Sequence, residues 1–255
     1  MAGKWMMWPA CLTVGWLLCS TAESQQQSFN EREVKSQSSV LDKGDVWCFD
    51  FRFKDPRLIK VHVPGKGTRI YWYLWYQVVN RTGDPQKFVP EFELVTLDFP
   101  GVHNDEVSPA VQEAIKRLED PSGYQDIKNS VTVSSAAVPV SKEGAFPLAI
   151  TGVAIWDASA ADPAKRDPKI KDLTDSTRFS IFVRGLSNGF VTVDSIGDEP
   201  VTRYKTLQLN FRRQGNGLDA RDLSFVGPAE WIYRAGRESP AAKKNAKDDK
   251  KAKAE

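Results

Sequence analysis

The sequence predicts a mainly β fold, an antiparallel β-sandwich, immunoglobulin-like in the broad sense, with one short helix. Three observations predict it. Apolar and polar residues alternate with a period of two along many short runs, and each run is bounded by turn residues. Only one stretch carries the helical period. Strands and helices do not alternate, so nothing suggests a parallel α/β sheet.

Each element has its own signal. Over residues 46–53 one alternating set is Trp47, Phe49, Phe51 and Phe53, which predicts a strand with that face buried. Asp55-Pro56 breaks the run, and 58–63 reads as a second strand ended by Pro64-Gly65-Lys66-Gly67. Residues 69–80 follow, with both alternating sets apolar from Ile70 to Val79. A strand covered on both faces belongs at the centre of a sheet. Arg81-Thr82-Gly83-Asp84-Pro85 turns the chain into a strand at 88–98, where Pro90 places the start at an edge or a bulge.

The helix begins at Ser108, a good N-cap, with Pro109 in the first helical position. Val111, Ala114, Ile115 and Leu118 make one apolar stripe, and Asp120-Pro121 ends it. Its expected place is across one end of the sheet or between two strands. Further strands are expected at 130–138, 148–156, 178–185, 190–194, 206–212 and 230–233. Residues 157–175, charged and Pro-containing, read as an exposed loop.

The ends differ from the middle. Residues 1–22 read as a secretory signal peptide: Lys4 at the positive start, an uncharged apolar run from Trp5 to Cys19, then Ser20-Thr21-Ala22. The apolar run is shorter than the ~20 residues of a spanning helix. Retention as an anchor is the alternative. A lipid on Cys19 would want a small residue before it, where Leu18 stands. Residues 23–42, rich in Ser and Gln, read as a flexible linker, and 237–255, mostly Ala, Lys and Asp, as a disordered charged tail. The folded domain is then 43–236.

Composition narrows function. The formal net charge is +2, which gives no basic field for nucleic acid. Loss of 1–22 removes Cys11 and Cys19, leaving Cys48 with no internal disulfide partner; among apolar neighbours it reads as a buried, inert thiol. Gly185-Leu186-Ser187-Asn188-Gly189 matches the hydrolase nucleophile elbow. That chemistry needs a helix after the serine, and a strand is expected there instead. Asn188-Gly189 favours a tight hairpin turn. Both histidines, His62 and His103, precede Ser187, against the hydrolase order. His103-Asn104-Asp105-Glu106 offers three possible ligands for a metal, yet reads as a polar loop leading to the helix cap. Asn80-Arg81-Thr82 is a glycosylation sequon only in a eukaryotic secretory pathway. No catalytic, cofactor or metal residue is assigned.

Aromatic density is the one feature with functional leverage. Tyr71, Trp72, Tyr73, Trp75 and Tyr76 stand on one strand. Core packing is one use of such a row; a sugar-stacking platform, with Trp72, Trp75 and Tyr73 as ligand residues, is the other.

Several segments together resemble an uncharacterised family of exported bacterial proteins of planctomycete type. They are Asp55-Pro56-Arg57 with Ile59, Pro64-Gly65, Tyr73-Leu74-Trp75-Tyr76-Gln77-Val78 with Asn80, Asn129-Ser130-Val131, Gly152-Val153-Ala154-Ile155-Trp156, Gly185-Leu186-Ser187-Asn188-Gly189, Lys205-Thr206-Leu207-Gln208-Leu209-Asn210-Phe211 and Glu230-Trp231-Ile232-Tyr233-Arg234. The resemblance covers roughly 45–234. It implies a bacterial source and a periplasmic or extracellular address, and it carries no known activity. The expectation is an exported non-enzymatic structural or interaction domain of the cell envelope. Its partner would be an envelope protein or a polysaccharide, with no membrane span after signal cleavage. The alternative is a carbohydrate-binding module built on strand 71–76.

Overall fold

The segment with two apolar sets forms the centre of the first sheet. The computed structural model describes residues 31–142, 144–145, 147–169, 171–193, 200–214 and 222–236. The expected signal peptide at 1–22, residues 23–30 of the expected linker and the tail at 237–255 lie outside the described residues. The elements run β1 (Arg32–Val34), β2 (Asp50–Phe53), β3 (Arg57–Val63), β4 (Gly67–Val79), β5 (Gln86–Lys87), β6 (Glu91–Thr96) and β7 (Gly101–Asn104). There follow α1 (Pro109–Glu119), β8 (Ala137–Val138), β9 (Ala149–Ala160), β10 (Arg178–Arg184), β11 (Phe190–Val193), β12 (Val201–Arg213), β13 (Leu223–Phe225) and β14 (Glu230–Ala235).

The fold is the expected antiparallel sandwich. In sheet A, β4 pairs with β9 along one edge and with β2 and β3 along the other, and β1 extends β2. Asp55-Pro56 separates β2 from β3 as expected, and β3 resumes along the same edge of β4. Phe53 faces Tyr76 and Arg57 faces Tyr73, so Lys54, Asp55 and Pro56 oppose only Leu74 and Trp75. The extra residue makes a bulge, which a proline tolerates because the residue there has no ladder bond to donate. In sheet B, β12 is central: β10 and β11 lie on one edge, β13 and β14 on the other, and β6 and β7 continue outward from β10.

The inward faces meet in an aromatic core. Trp72 lies 4.9 Å from Phe179 and Tyr76 lies 4.8 Å from Phe92, ring centroid to ring centroid. Gly152, opposite Tyr76 on β9, is required by this packing, because a Cβ there would overlap the Tyr76 ring. The other alternating set of β4 makes a second cluster. Tyr71, Tyr73 and Trp75 join Val153 and Ile155 beneath Val111 and Ile115 of α1. The helix therefore covers the outer face of sheet A rather than an end of the sandwich. Leu118, counted in its stripe, is half-exposed.

Glu119, in the last turn of α1, fixes the helix to the sheet. Its buried carboxylate accepts from Lys54 Nζ (2.9 Å), Arg57 (2.9 Å) and Tyr73 OH (2.8 Å). An acidic residue opposes the dipole at a helix C-terminus, and the two cations from the β2–β3 bulge offset that.

Four further expectations are corrected. Residues 31–42, expected in the linker, belong to the fold: β1 pairs with β2, and Asp42 is held by Lys205. Residues 130–138 are not one strand. The Asn129 side chain accepts from the Val131 and Thr132 amides, and Ser134 and Ser135 bond back to preceding carbonyls. Those local bonds stabilise a 3-10 turn at Thr132–Ser135 and leave only β8 to pair, with β5. The expected loop at 157–175 begins as strand, because Arg69 of β4 binds the Asp157 carboxylate at 2.7–2.8 Å. Its later part is anchored by Arg166, which donates to Ser159 and Thr174, and by buried Leu173. Finally, His103 and Asn104 of the expected polar loop at 103–106 belong to β7, which pairs with β6.

Candidate functional site

Two polar regions stand out from the apolar framework. The first closes one end of the sandwich. On β12 the inward set Leu207, Leu209 and Phe211 is preceded by Lys205, a lysine only 2% exposed. Its Nζ donates to the Gln37 carbonyl (2.5 Å) and to Asp42 Oδ2 (2.7 Å). Tyr233, directly across from Lys205 on β14, donates its hydroxyl to the other Asp42 oxygen. Trp231 Nε1 donates to the Lys35 carbonyl at 3.2 Å. Residues 35–42 are thus clasped over the end of the core. Burial alone would raise the Asp42 carboxyl, but the bonds from Lys205 and Tyr233 outweigh it and hold the group below its ordinary value.

Beside the clasp lies a cavity of about 570 Å³, lined in part by Asp42, Asp45, Trp47, Cys48, Arg81 and Lys205. A second, of about 590 Å³, shares Ser36 and Arg81 with it and includes Asp50. The Asp50 carboxylate already accepts from the Ser36 amide (2.8 Å) and Arg81 Nε (3.0 Å). The Cys48 thiol is pushed up to about 12 by burial, so it stays protonated and is a poor nucleophile. The lining acids and bases named here are largely engaged with one another, so the arrangement serves to hold the 35–48 segment in place.

Ser187 belongs to that holding arrangement. Its hydroxyl donates to the Trp47 carbonyl (2.6 Å), and the Asn188 side chain accepts from the Trp47 amide (2.9 Å). The segment 185–189 is not the expected hairpin turn. β10 and β11 pair with the same edge of β12, not with each other, and 185–189 bulges out between them to bind 45–49. Gly185 has φ +93° and lies against the Val89 carbonyl, leaving no room for a Cβ. Neither histidine hydrogen-bonds Ser187: His62 Nδ1 is paired with Thr68, and His103 turns its Nε2, without a partner, into the interior. In 103–106, Asp105 accepts from Ser130 and Glu106 lies 3.5 Å from Lys66. No group of three potential metal ligands occurs among the described residues.

The proposed ligand residues are corrected. Trp72 is 0% exposed, Tyr73 1% and Trp75 3%. Trp72 lies between the sheets, while Tyr73 and Trp75 lie under α1. The same alternation that suggested a platform requires burial, because a helix covers the outward set.

The second polar region is the outer face of sheet B. Its alternating outward residues line up across strands. Glu230, Gln208, Phe182, Glu93 and Asn104 form one row over β14, β12, β10, β6 and β7. Arg234 and Tyr204 pair in the next strands, with Phe190 opposite Tyr204. Arg234 donates to Glu93 (2.6 Å) and lies 4.1 Å above the Phe182 ring. Arg184 binds Glu91 and stands 4.8 Å over Tyr204. Phe190 is 58% exposed. Single-strand patterning shows that these residues point outward, but only the register brings rings and ion pairs from separate strands together.

No family model, curated protein or solved structure matches the chain. Among the described residues no helix is long and apolar enough to cross a membrane.

Proposed function

We propose that this chain is an exported, non-enzymatic structural or interaction domain of the bacterial cell envelope, acting through the outer face of sheet B. One observation carries the reading: α1 seals the outer face of sheet A, whereas sheet B presents Tyr204 and Phe190 toward solvent, with half-buried Phe182 beside them, among paired Arg and Glu side chains. Exposed aromatics with arginine are the residue types enriched where proteins meet partners. The sequence of 1–22 supports the export part of the proposal, with periplasm or cell exterior as the destination.

The test is cell fractionation followed by crosslinking and affinity purification from envelope fractions. The expected result is processing near Ala22 and recovery of an envelope component by the wild-type chain. Recovery falls several-fold for Tyr204→Ala and is unchanged for Tyr124→Ala, an exposed tyrosine elsewhere. A cytoplasmic chain, or recovery indifferent to Tyr204, overturns the proposal.

A further inference from the structure

We infer that the outer face of sheet B binds a neutral polysaccharide laid across its strands, an inference that rests on the interaction reading above. The face has the dimensions for an extended polymer. Five strands carry the row from Glu230 to Asn104, and at about 4.8 Å between neighbours the row spans roughly 19 Å. It is backed by the buried set Phe179, Ile181, Val183, Leu207 and Leu209, so its side chains stand on a rigid base.

Charge argues for a neutral ligand. Arg184 is bound to Glu91 and Arg234 to Glu93, while Glu230 adds a further carboxylate. Around the rings the guanidiniums are neutralised in place, and Arg212 and the Asp98-bound Arg178 stand four residues further along the same outward phase, so the row from Glu230 to Asn104 itself offers no strong positive field to a phosphate or an acidic polymer. A protein partner fits less well. Aromatics and Arg are enriched in docking cores but Glu is depleted there, and burying two Arg–Glu pairs under an apolar surface carries a desolvation cost that their attraction does not reliably offset. A hydrated, polyhydroxylated chain needs no such desolvation.

Hydrogen-bond chemistry points the same way. Each sugar hydroxyl both donates and accepts. The guanidinium and carboxylate of each Arg–Glu pair set donors beside acceptors, and the Gln208 amide, which donates to Asn210 (3.0 Å), supplies both types from one side chain. The rings add the apolar surface on which the C–H face of a pyranose rests. Arg234 and Arg184 stack on Phe182 and Tyr204, which orients both rings, and Phe190 extends the apolar surface beyond Tyr204.

The test is affinity electrophoresis of the full chain lacking only 1–22, in gels containing hydroxyethyl cellulose, xylan or mannan, with alginate as the anionic comparison. The expected result is retardation by at least one neutral polymer that persists in high salt. Phe182→Ala and Tyr204→Ala weaken it at least tenfold, Gln208→Ala weakens it severalfold, and Tyr124→Ala leaves it unchanged. Unretarded migration in all three neutral gels overturns the inference. Retardation by alginate alone that salt abolishes, or equal retardation of the Phe182 and Tyr204 variants, does so too. Capture of an envelope protein through Tyr204 without retardation in any neutral gel rejects the polysaccharide and leaves the interaction reading standing. Failure of both experiments rejects both.

Discussion

The outward faces of the two sheets are built by the same alternation and reach opposite ends. On sheet A the outward set of β4 includes Tyr71, Tyr73 and Trp75, with Arg69 at its start, and the three rings are buried in the cluster beneath α1. On sheet B the outward set of β10 includes Phe182 and Arg184, that of β12 includes Tyr204 and Gln208, and glutamates from β6 pair with the arginines. An aromatic row by itself does not distinguish a platform from a core. The cover does: on sheet A, α1 lies over the row, whose exposure would cost roughly 25 cal/mol per Å² of apolar surface, and the Lys54 that stands over Trp75 is itself tied to the helix through Glu119. A row whose rings are stacked under paired guanidiniums is tolerated in water.

The comparison breaks most visibly through the tryptophans. Trp72→Ala and Trp75→Ala each destabilise by about 3–5 kcal/mol, because both remove a buried aromatic and leave a cavity. Urea unfolding midpoints measure this. If Trp75→Ala lies within about 0.5 kcal/mol of wild type, α1 does not seal sheet A and the contrast between the faces collapses. A smaller loss, about 2–3 kcal/mol, follows for Glu119→Ala, which strands Lys54, Arg57 and the Tyr73 hydroxyl. It falls short of the full cost of a broken buried pair because the two cations are partly exposed and can rehydrate. Amide exchange shows the loss as faster opening of α1, with β10 and β12 unaffected at low denaturant.

Much of the architecture was legible for a physical reason. The two-set apolar run at 70–79 demands cover on both sides, and it forms the centre of sheet A. The Ser108-Pro109 start and the Asp120-Pro121 stop bound the helix. What escaped the sequence is what depends on distant partners. β1 is a strand only because β2 offers it an edge, and β7 only because β6 does. The clasp has the composition of a linker, and its order comes from Asp42 finding Lys205 and Tyr233 far along the chain. Lys205 itself sits at the head of an inward alternation ending in Leu207, Leu209 and Phe211, so it carried a signal: a charge in a core phase needs a partner. The Phe182, Tyr204 and Arg234 grouping had no such signal, since it arises from the registers of separate strand pairs.

The clasp sharpens the comparison, being polar like the outer face of sheet B and buried like that of sheet A. Asp42→Ala leaves the Lys205 ammonium with the Gln37 carbonyl, and a loss of about 2 kcal/mol is expected, while Lys205→Met is close to neutral because it removes the buried charge with it. The pH dependence has a definite sign. The Asp42 carboxyl lies below its ordinary value in the folded chain, so it binds a proton more readily unfolded than folded. Its contribution is complete above about pH 5 and is lost as the pH falls through the folded pKa, below the ordinary value of about 4. The difference in unfolding free energy between wild type and Asp42→Asn therefore shrinks as pH is lowered from 5 to 2. A difference that stays constant over that range shows that the carboxylate's charge does not hold the clasp.

The smallest effect is the sharpest discriminator. Phe190→Ala and Tyr204→Ala change stability by less than about 0.5 kcal/mol, the range of ordinary surface substitutions, because both rings are exposed. Thermal and urea unfolding read this directly. A loss of 2 kcal/mol or more from either change places that ring in a packed layer and makes sheet B's outer face equivalent to sheet A's. Near-zero losses, set beside those of the Trp75 variant, mean that alternation has been used twice: once to build a third layer, and once to hold aromatic rings ready at the surface.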